Sequence, residues 1–388
     1  MVITGLEKLL NDPGAYRKRR VALIANQTSV TSDLVYSWHA LIRHGIDIVR
    51  IFSPEHGIFA TEQDQAPVGD QPIVNCEVVS LYGASAHTLA PAPEFLDDID
   101  CVIYDIQDIG SRYYTYVNTM ALCMEAIAGR DIEFVVLDRP NPIGGQSVEG
   151  PPLRDGYGSF VGVLPVPVRH GMTAGELALL WKAHRRLDVN LAIVPMDGWG
   201  RAMGYAHTGL PWVPPSPNMP TEETALVYPG MCLIEGTNLS EGRGTAMPFL
   251  QIGAPYVDAA ALANRLNALN QPGIRFRPVY FKPTSNKYAG EVAGGVFLHV
   301  TDPTRFRPFA AGVALVQAAR ELCTDSFRFT TGVYEFNDTH PAFDLLAGSD
   351  AVRTMIERGV PLDTIRESWA DYERDFFERR KEYLLYAS

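Results

Sequence analysis

Nowhere in the chain do about 18 apolar residues follow one another without interruption, so no membrane-spanning helix is expected. The first residues, Met1 to Lys8, lack a basic stretch followed by an apolar one, so a signal peptide is not expected and a cytoplasmic location is. Cysteine is scarce: there are five, with no Cys-x-x-Cys spacing. Cys101, Cys123 and Cys232 lie inside apolar runs, where a thiol behaves as a small hydrophobe in a reducing compartment. Positive charge is also short, 33 Lys and Arg against 45 Asp and Glu, for a formal net charge of −12. The longest basic runs are Arg17-Lys18-Arg19-Arg20 and Arg379-Arg380-Lys381. A polyanion needs a Lys/Arg surface to displace its counterions, which argues against nucleic acid as a partner. There is no phosphate loop, no His-Glu-x-x-His and no Gly-x-Ser-x-Gly. Gly242-Arg243-Gly244 lacks the third glycine of a dinucleotide fingerprint, so no nicotinamide cofactor is expected, nor any other cofactor or bound metal.

What is present is an ordinary globular composition, 46% hydrophobic and 20% charged over 388 residues. At about 150 residues per domain this suggests two or three domains. Short apolar runs alternate with amphipathic stretches: Val21-Ala22-Leu23-Ile24-Ala25, Ile46-Asp47-Ile48-Val49-Arg50-Ile51-Phe52, Cys101-Val102-Ile103-Tyr104 and Ile132-Glu133-Phe134-Val135-Val136-Leu137. Strands apolar on both faces and separated by helices are what a parallel sheet covered on both sides requires. A helix is expected with Leu34, Trp38, Leu41 and Ile42 on one face, and Thr173-Ala174-Gly175-Glu176 reads as a capping box. The stretch 210–220 carries five prolines and cannot be helix; it is a domain seam or a rigid loop over a cleft. The tail alternates strands (274–281, 296–300) with helices (309–323 and one through Trp369 and Phe376).

The strand exits carry the functional signal. They read Asn26-Gln27-Thr28-Ser29, Ser53-Pro54-Glu55-His56-Gly57, Asp105-Ile106-Gln107-Asp108 and Asp138-Arg139-Pro140-Asn141. Parallel strands point their C-terminal ends at one edge, where open α/β sheets bind ligands, so four polar exits scattered in sequence converge in space. Glu55-His56 has the composition of a general acid beside an imidazole, or of a turn in which Glu55 caps the next helix. Asp105-x-x-Asp108 reads as a Mg²⁺-binding pair, as groups that orient a sugar hydroxyl or an arginine, or as loop-fixing turns. Arg112, Arg139, Arg169 and Arg243 sit in glycine- or proline-flanked loops, suited to a substrate carboxylate or to structural ion pairs. Tyr113, Tyr114 and Tyr116 are suited to sugar stacking or to packing.

Six motifs together resemble one family: Ser53-Pro54-Glu55-His56-Gly57; Asp105-Ile106-Gln107-Asp108 with Arg112-Tyr113-Tyr114-Thr115-Tyr116; Leu137-Asp138-Arg139-Pro140-Asn141-Pro142-Ile143-Gly144-Gly145; Val168-Arg169-His170-Gly171-Met172-Thr173; Pro215-Ser216-Pro217-Asn218-Met219-Pro220-Thr221; and Glu235-Gly236-Thr237-Asn238-Leu239-Ser240-Glu241-Gly242-Arg243-Gly244-Thr245. They are similar to the NamZ-like exo-β-N-acetylmuramidases, in the same order from about Leu6 to Tyr386. The resemblance implies an α/β fold, a Rossmann-like mostly parallel sheet with a smaller C-terminal α/β domain and a cleft between them. We place the domains at 1–210 and 211–388. It implies release of N-acetylmuramic acid from the non-reducing end of peptidoglycan fragments, on a small muropeptide or disaccharide substrate. Glu55, His56 and Asp105 are the expected catalytic residues, with Glu55 protonating the leaving oxygen and Asp105, Glu235 and Glu241 competing as second carboxylate. Expected substrate contacts are Asn26, Gln27, Arg112, Tyr113, Arg139, Asn141, Arg169, His170, Asn218, Glu235, Asn238, Glu241 and Arg243, with Arg112 or Arg243 pairing the lactyl carboxylate. Family members often carry Arg two residues after the glycine of Pro-Glu-His-Gly; here that position is Phe59, followed by Glu62 and Asp64. The alternatives are a metal-dependent phosphohydrolase using Asp105 and Asp108, and a non-catalytic amino-sugar-binding protein.

Overall fold

The computed structural model describes residues 1–63, 65–67 and 76–387. Asp64 lies outside the described residues. Six strands form a parallel sheet: β1 (Arg20–Ala25), β2 (Asp47–Ser53), β3 (Glu77–Ser80), β4 (Cys101–Asp105), β5 (Glu133–Leu137) and β6 (Asn190–Val194), in the order β3-β2-β1-β4-β5-β6. This is the doubly wound arrangement, with its switch point between β1 and β4, where the connections leave in opposite directions and open a crevice at the C-terminal edge.

Two-residue periodicity explains why these strands read as continuous apolar runs. Ala22, Ile24, Phe52, Val102, Tyr104, Phe134 and Val136 point to one face, where the helices Thr115–Ala126 and Ala174–Arg185 cover them. Val21, Leu23, Ile51, Cys101, Ile103, Val135 and Leu137 point to the other, under the helices Gly5–Asn11 and Ser37–Arg43. The capping box at Thr173 is formed as expected, with Glu176 reaching back to the Thr173 amide at 3.0 Å. The helix face expected from Leu34 to Ile42 needs correction. Leu34 precedes the helix at φ +62° inside a turn that bridges Val30 to Tyr36, and Leu34 and Ile42 are both exposed. Trp38 and Leu41 anchor that short helix, with Ala40 also buried.

The C-terminal half builds a smaller antiparallel sheet from β7 (Gln251–Ala254), β8 (Ile274–Phe281) and β9 (Ala293–Val300), ordered β7-β9-β8. Its helices Glu222–Met231, Ala259–Ala268 and Pro308–Leu322 share one large apolar core with the first sheet. Hydrogen bonds also cross between the halves. Glu149 caps the helix Pro308–Leu322 by accepting from the Phe309 and Ala310 amides at 3.2 and 2.9 Å. After the helix Leu362–Arg379 the chain returns to the first sheet: Arg380 donates to the Gly171 carbonyl at 2.7 Å and Tyr386 to Asp138 at 2.6 Å. No helix among the described residues is long and apolar enough to cross a membrane.

Helices Glu222–Met231 and Pro308–Leu322 touch backbone to backbone. A Cβ at Gly230 would lie 1.8 Å from the Pro308 carbonyl oxygen, and one at Gly312 would lie 2.2 Å from that of Gly230. Alanine at either position gains up to about 1 kcal/mol of helix propensity but must push the helices apart, an overpacking cost of about 1–3 kcal/mol. Gly230→Ala and Gly312→Ala are therefore expected to lower the urea midpoint, a net destabilisation that equilibrium unfolding by circular dichroism reads directly.

Candidate active site

The exits of β1, β4 and β5 are stapled together at the switch point. Asp105 closes β4, fully buried, and both its oxygens receive the Arg139 guanidinium from the β5 exit, at 2.6 Å from Nε and 3.0 Å from Nη2. Nη2 also donates to the Val30 carbonyl at 3.0 Å. A chain of smaller bonds runs beside this pair. Asn26 Oδ1 accepts from the Thr28 hydroxyl at 2.6 Å, and Thr28 Oγ1 accepts from the Gln107 amide at 3.0 Å. The Gln107 side chain then donates to the Asp108 and Pro140 carbonyls at 2.6 and 2.7 Å. Ser29 donates to the Asp105 carbonyl.

Glu55 leaves β2 in a tight turn closed by the Gly57 amide on the Pro54 carbonyl at 3.0 Å. His56 stands at φ +67° and Gly57 at +82°, two consecutive left-handed residues that reverse the chain. A non-glycine residue there is uncommon and marks a conformation imposed by its surroundings. The Glu55 carboxyl is buried; Oε2 accepts the Thr115 hydroxyl at 2.6 Å, at the start of the helix Thr115–Ala126, and Oε1 accepts the Gln65 amide at 3.4 Å. His56 Nδ1 donates to the Glu62 carbonyl at 2.9 Å, so that nitrogen carries its hydrogen.

Asp108 is buried with little to stabilise its charge. Burial pushes it up to about 7, against the pull of the Gly110 and Ile109 amides. Oδ2 accepts from Gly110 at 2.7 Å and Oδ1 has no hydrogen-bond partner among the described residues. His170, fully buried, lies behind it with Nε2 3.7 Å from Oδ2. Burial and the Arg380 charge push this imidazole down to about 3, and Nδ1 accepts from the Met172 amide, so a neutral ring turns its Nε2–H towards Asp108. Burial raises the Tyr114 phenol, with Ser216 beside it and the Asp108 and Glu55 charges pushing the same way. The proline-rich loop covers this group, held by Gln27 on the Pro214 carbonyl at 2.7 Å and by Tyr116 on that of Pro215.

The expected site residues thus separate into three groups. Asn26, Gln27, Glu55, His56, Asp105, Arg139 and His170 do meet at the sheet edge, together with Asn218, which donates to Gln63 at 3.1 Å. Asp105 is wholly engaged by Arg139, which makes it a structural partner of that arginine; Asp105 and Asp108 face different partners and do not form a shared metal-binding pair. No group of three or more His, Cys, Asp or Glu among the described residues is placed to hold a metal. A second group serves as internal scaffolding. Arg112, expected on the lactyl carboxylate, is fully buried and donates to the Pro151, Val166 and Leu346 carbonyls; Tyr113 bonds the Pro229 carbonyl, Asn141 that of Met172, and Arg169 that of Ile143. The third group belongs to the glycine-rich loop. Arg243 binds Glu235 at 2.8 Å and Glu241 at 3.3 Å, Lys287 binds Glu241 at 3.0 Å, and Asn238 accepts from the Arg328 amide at 2.8 Å. Asp108 and Thr115 were absent from the expected site although both lie in its motifs; the Asp-x-x-Asp spacing was the signal for the first, and nothing local marks the second.

Beside Gln63 and Asn218 a cavity of about 580 Å³ opens, walled on its far side by Gly244 to Ala246 and by Lys282, Thr284 and Ser285 at the end of β8. That volume suits a sugar-sized ligand, since binding clefts run from about 300 to 1,000 Å³.

Comparison with known proteins adds an independent line. The family profile described as exo-β-N-acetylmuramidase NamZ, N-terminal, matches residues 21–223, and the corresponding C-terminal profile matches residues 226–386. The chain is 42% identical to the peptidoglycan β-N-acetylmuramidase NamZ of Bacillus subtilis (strain 168), over 99% of this chain and 91% of that protein. Two crystal structures of DUF1343 family proteins from Bacteroides fragilis are similar throughout. One has a TM-score of 0.89 at 35% identity, covering 99% of each chain. The other has a TM-score of 0.79 at 30% identity, covering 100% of this chain and 99% of that one.

Removing one partner of a buried ion pair leaves an uncompensated charge, which costs about 3–5 kcal/mol. Arg139→Met and Asp105→Asn should each lose stability on that scale in urea unfolding. The double variant should lose less than the sum, because it strands no charge.

Proposed function

We propose, for a chain that belongs to the NamZ family of exo-β-N-acetylmuramidases, that its chemistry is carried by Glu55 and Asp108. The protein is a glycosidase, acting on peptidoglycan-derived material to release N-acetylmuramic acid from the non-reducing end. The observation that carries the residue assignment is the placing of two buried carboxyls at the C-terminal edge of one sheet, one at the exit of β2 and one at the exit of β4.

Glycoside hydrolysis needs one group to protonate the leaving oxygen and a second to handle the incoming water, across an oxocarbenium-like transition state. Glu55 gives its proton to the glycosidic oxygen as the bond from C1 breaks. The Thr115 hydroxyl and the Pro54–Gly57 turn hold that carboxyl in one orientation. Asp108 accepts the proton that water gives up as its oxygen bonds C1. A base poised near neutrality is efficient because it is both partly ionised and basic enough to accept. The neutral His170 ring lies behind Asp108, with Nε2 3.7 Å from Oδ2, and adds no charge to the site. His56, tied to the Glu62 carbonyl, shapes the turn that presents Glu55. Small muropeptides or disaccharides ending in N-acetylmuramic acid are the proposed substrates.

Glu55→Gln keeps an acceptor for Thr115 and is expected to unfold like the wild type, yet to lose kcat on a chromogenic N-acetylmuramide by about 10²–10⁴-fold, the usual worth of a positioned general acid. Wild-type-like turnover in that variant removes Glu55 from the chemistry. The pH profile tests Asp108. A carboxyl raised to about 7 is protonated below that value and cannot accept a proton, so kcat/KM should fall as pH drops through about 7. Asp108→Asn should lower kcat/KM and erase that acidic limb. A limb that stays in place in the variant assigns the titration elsewhere.

A further inference from the structure

We infer that Lys282 is the cation that reads the substrate's carboxylate, and so sets the preference for an N-acetylmuramyl group over its uncharged analogues. This rests on the muramidase reading and deepens it. An N-acetylmuramyl group differs from an N-acetylglucosaminyl group by an acidic ether side arm, so a site that tells them apart needs a positive group facing the sugar. The protein's net charge of −12 supplies no bulk attraction for an anion. The selecting charge must be local.

The loop arginines are committed elsewhere. Arg112 is buried on three carbonyls and Arg139 on Asp105, and Arg169, buried with one bond to the Ile143 carbonyl, does not line the cavity beside Gln63 and Asn218. Arg243 and Lys287 hold Glu235 and Glu241. Lys282 differs in every respect. It is exposed, forms no ion pair among the described residues, and is the one cation among the described residues lining the cavity beside Gln63 and Asn218. No carboxylate lines that cavity among the described residues. Its neighbours are neutral hydroxyl and amide groups, which leave the ammonium charge uncancelled.

The backbone under Lys282 is fixed. It follows Phe281, the buried last residue of β8, and two residues later Thr284 donates through both its amide and its hydroxyl to the Gly244 carbonyl, at 2.9 and 2.8 Å. Gly244 has φ +76°, and a Cβ there would come within 2.6 Å of the Ser285 backbone, so glycine is what lets the two segments meet. The motif Gly-Arg-Gly-Thr therefore acts as a clamp on the β8 end, and the lysine at that end acts on the ligand. An ammonium is a compact point charge with three donors on a flexible stem, suited to a carboxylate whose position shifts with the group attached to it.

The carboxylate has two sources, the free lactyl group or the terminus of an attached stem peptide. The test pairs Lys282→Gln with chromogenic β-glycosides of N-acetylmuramic acid, of its lactyl methyl ester, and of its alanyl amide. A charge-assisted contact is worth about 10- to 100-fold in affinity. The wild type should prefer the free acid over the neutral ester by that factor in kcat/KM, through KM, and in Lys282→Gln the ratio should collapse towards one. Lys282→Arg should keep part of it. If preference for the alanyl amide over the ester collapses instead, Lys282 reads the stem carboxylate. An acid-to-ester ratio equal in wild type and Lys282→Gln overturns the assignment. Calorimetry with free N-acetylmuramic acid and its methyl ester reads the same ratio without turnover. A wild type that binds the acid selectively but hydrolyses no muramide therefore refutes the glycosidase reading and leaves Lys282 judged by binding alone.

Discussion

The buried ion pair between Asp105 and Arg139 is the constraint around which the site is arranged. It closes β4 against the exit of β5 and, through the Val30 carbonyl, against the chain leaving β1. A pair this buried carries a desolvation cost that can exceed its Coulombic gain, so net stability is a weak account of it. Its geometric effect is more specific. A bidentate guanidinium admits one orientation of the strand ends, and the Asn26, Thr28 and Gln107 bonds beside it repeat that constraint with neutral groups. The exits are thereby held as a rigid floor, and the turn carrying Glu55 stands next to it on β2.

Charge is used in an unexpected way on this scaffold. The chain is acidic, yet Arg112, Arg139, Arg169, Arg201 and Arg380 are all buried. Each donates to a backbone carbonyl of a loop, and Arg139 and Arg201 also bind the carboxylates of Asp105 and Glu176. Long loops carry carbonyl groups that no ladder satisfies, and a planar guanidinium with five donors can satisfy several at once. Burying cations for this purpose leaves the crevice itself poor in positive charge. The walls of the cavity beside it come from two sources far apart in sequence, the Gln63 and Asn218 side and the end of β8.

The two halves are also less separable than a cut near residue 210 suggests. Glu149 caps a helix of the second half, Arg112 reaches the Leu346 carbonyl, and the C-terminal tail returns to Asp138 and Glu176. The crevice between sheet and glycine-rich loop is consequently braced from both sides.

Much of this was decided by the amino-acid sequence alone. Short runs apolar on both faces marked β1, β2, β4 and β5, the Thr173 capping box marked a helix start, and five prolines marked a loop without regular structure. These are local properties, set by side-chain period and backbone restriction within a few residues, and parallel topology then sent the polar exits to one edge. Only the tertiary structure decided which charged groups at that edge face a partner and which face the cleft. Asp105 and Asp108 stand three residues apart and look interchangeable in sequence, yet one is consumed by Arg139 and the other is left buried beside a neutral His170. Arg112 looked available and is instead bonded to a carbonyl 234 residues away. Pairing of this kind depends on the burial and reach of long side chains from segments that meet only after folding, and no local pattern records it.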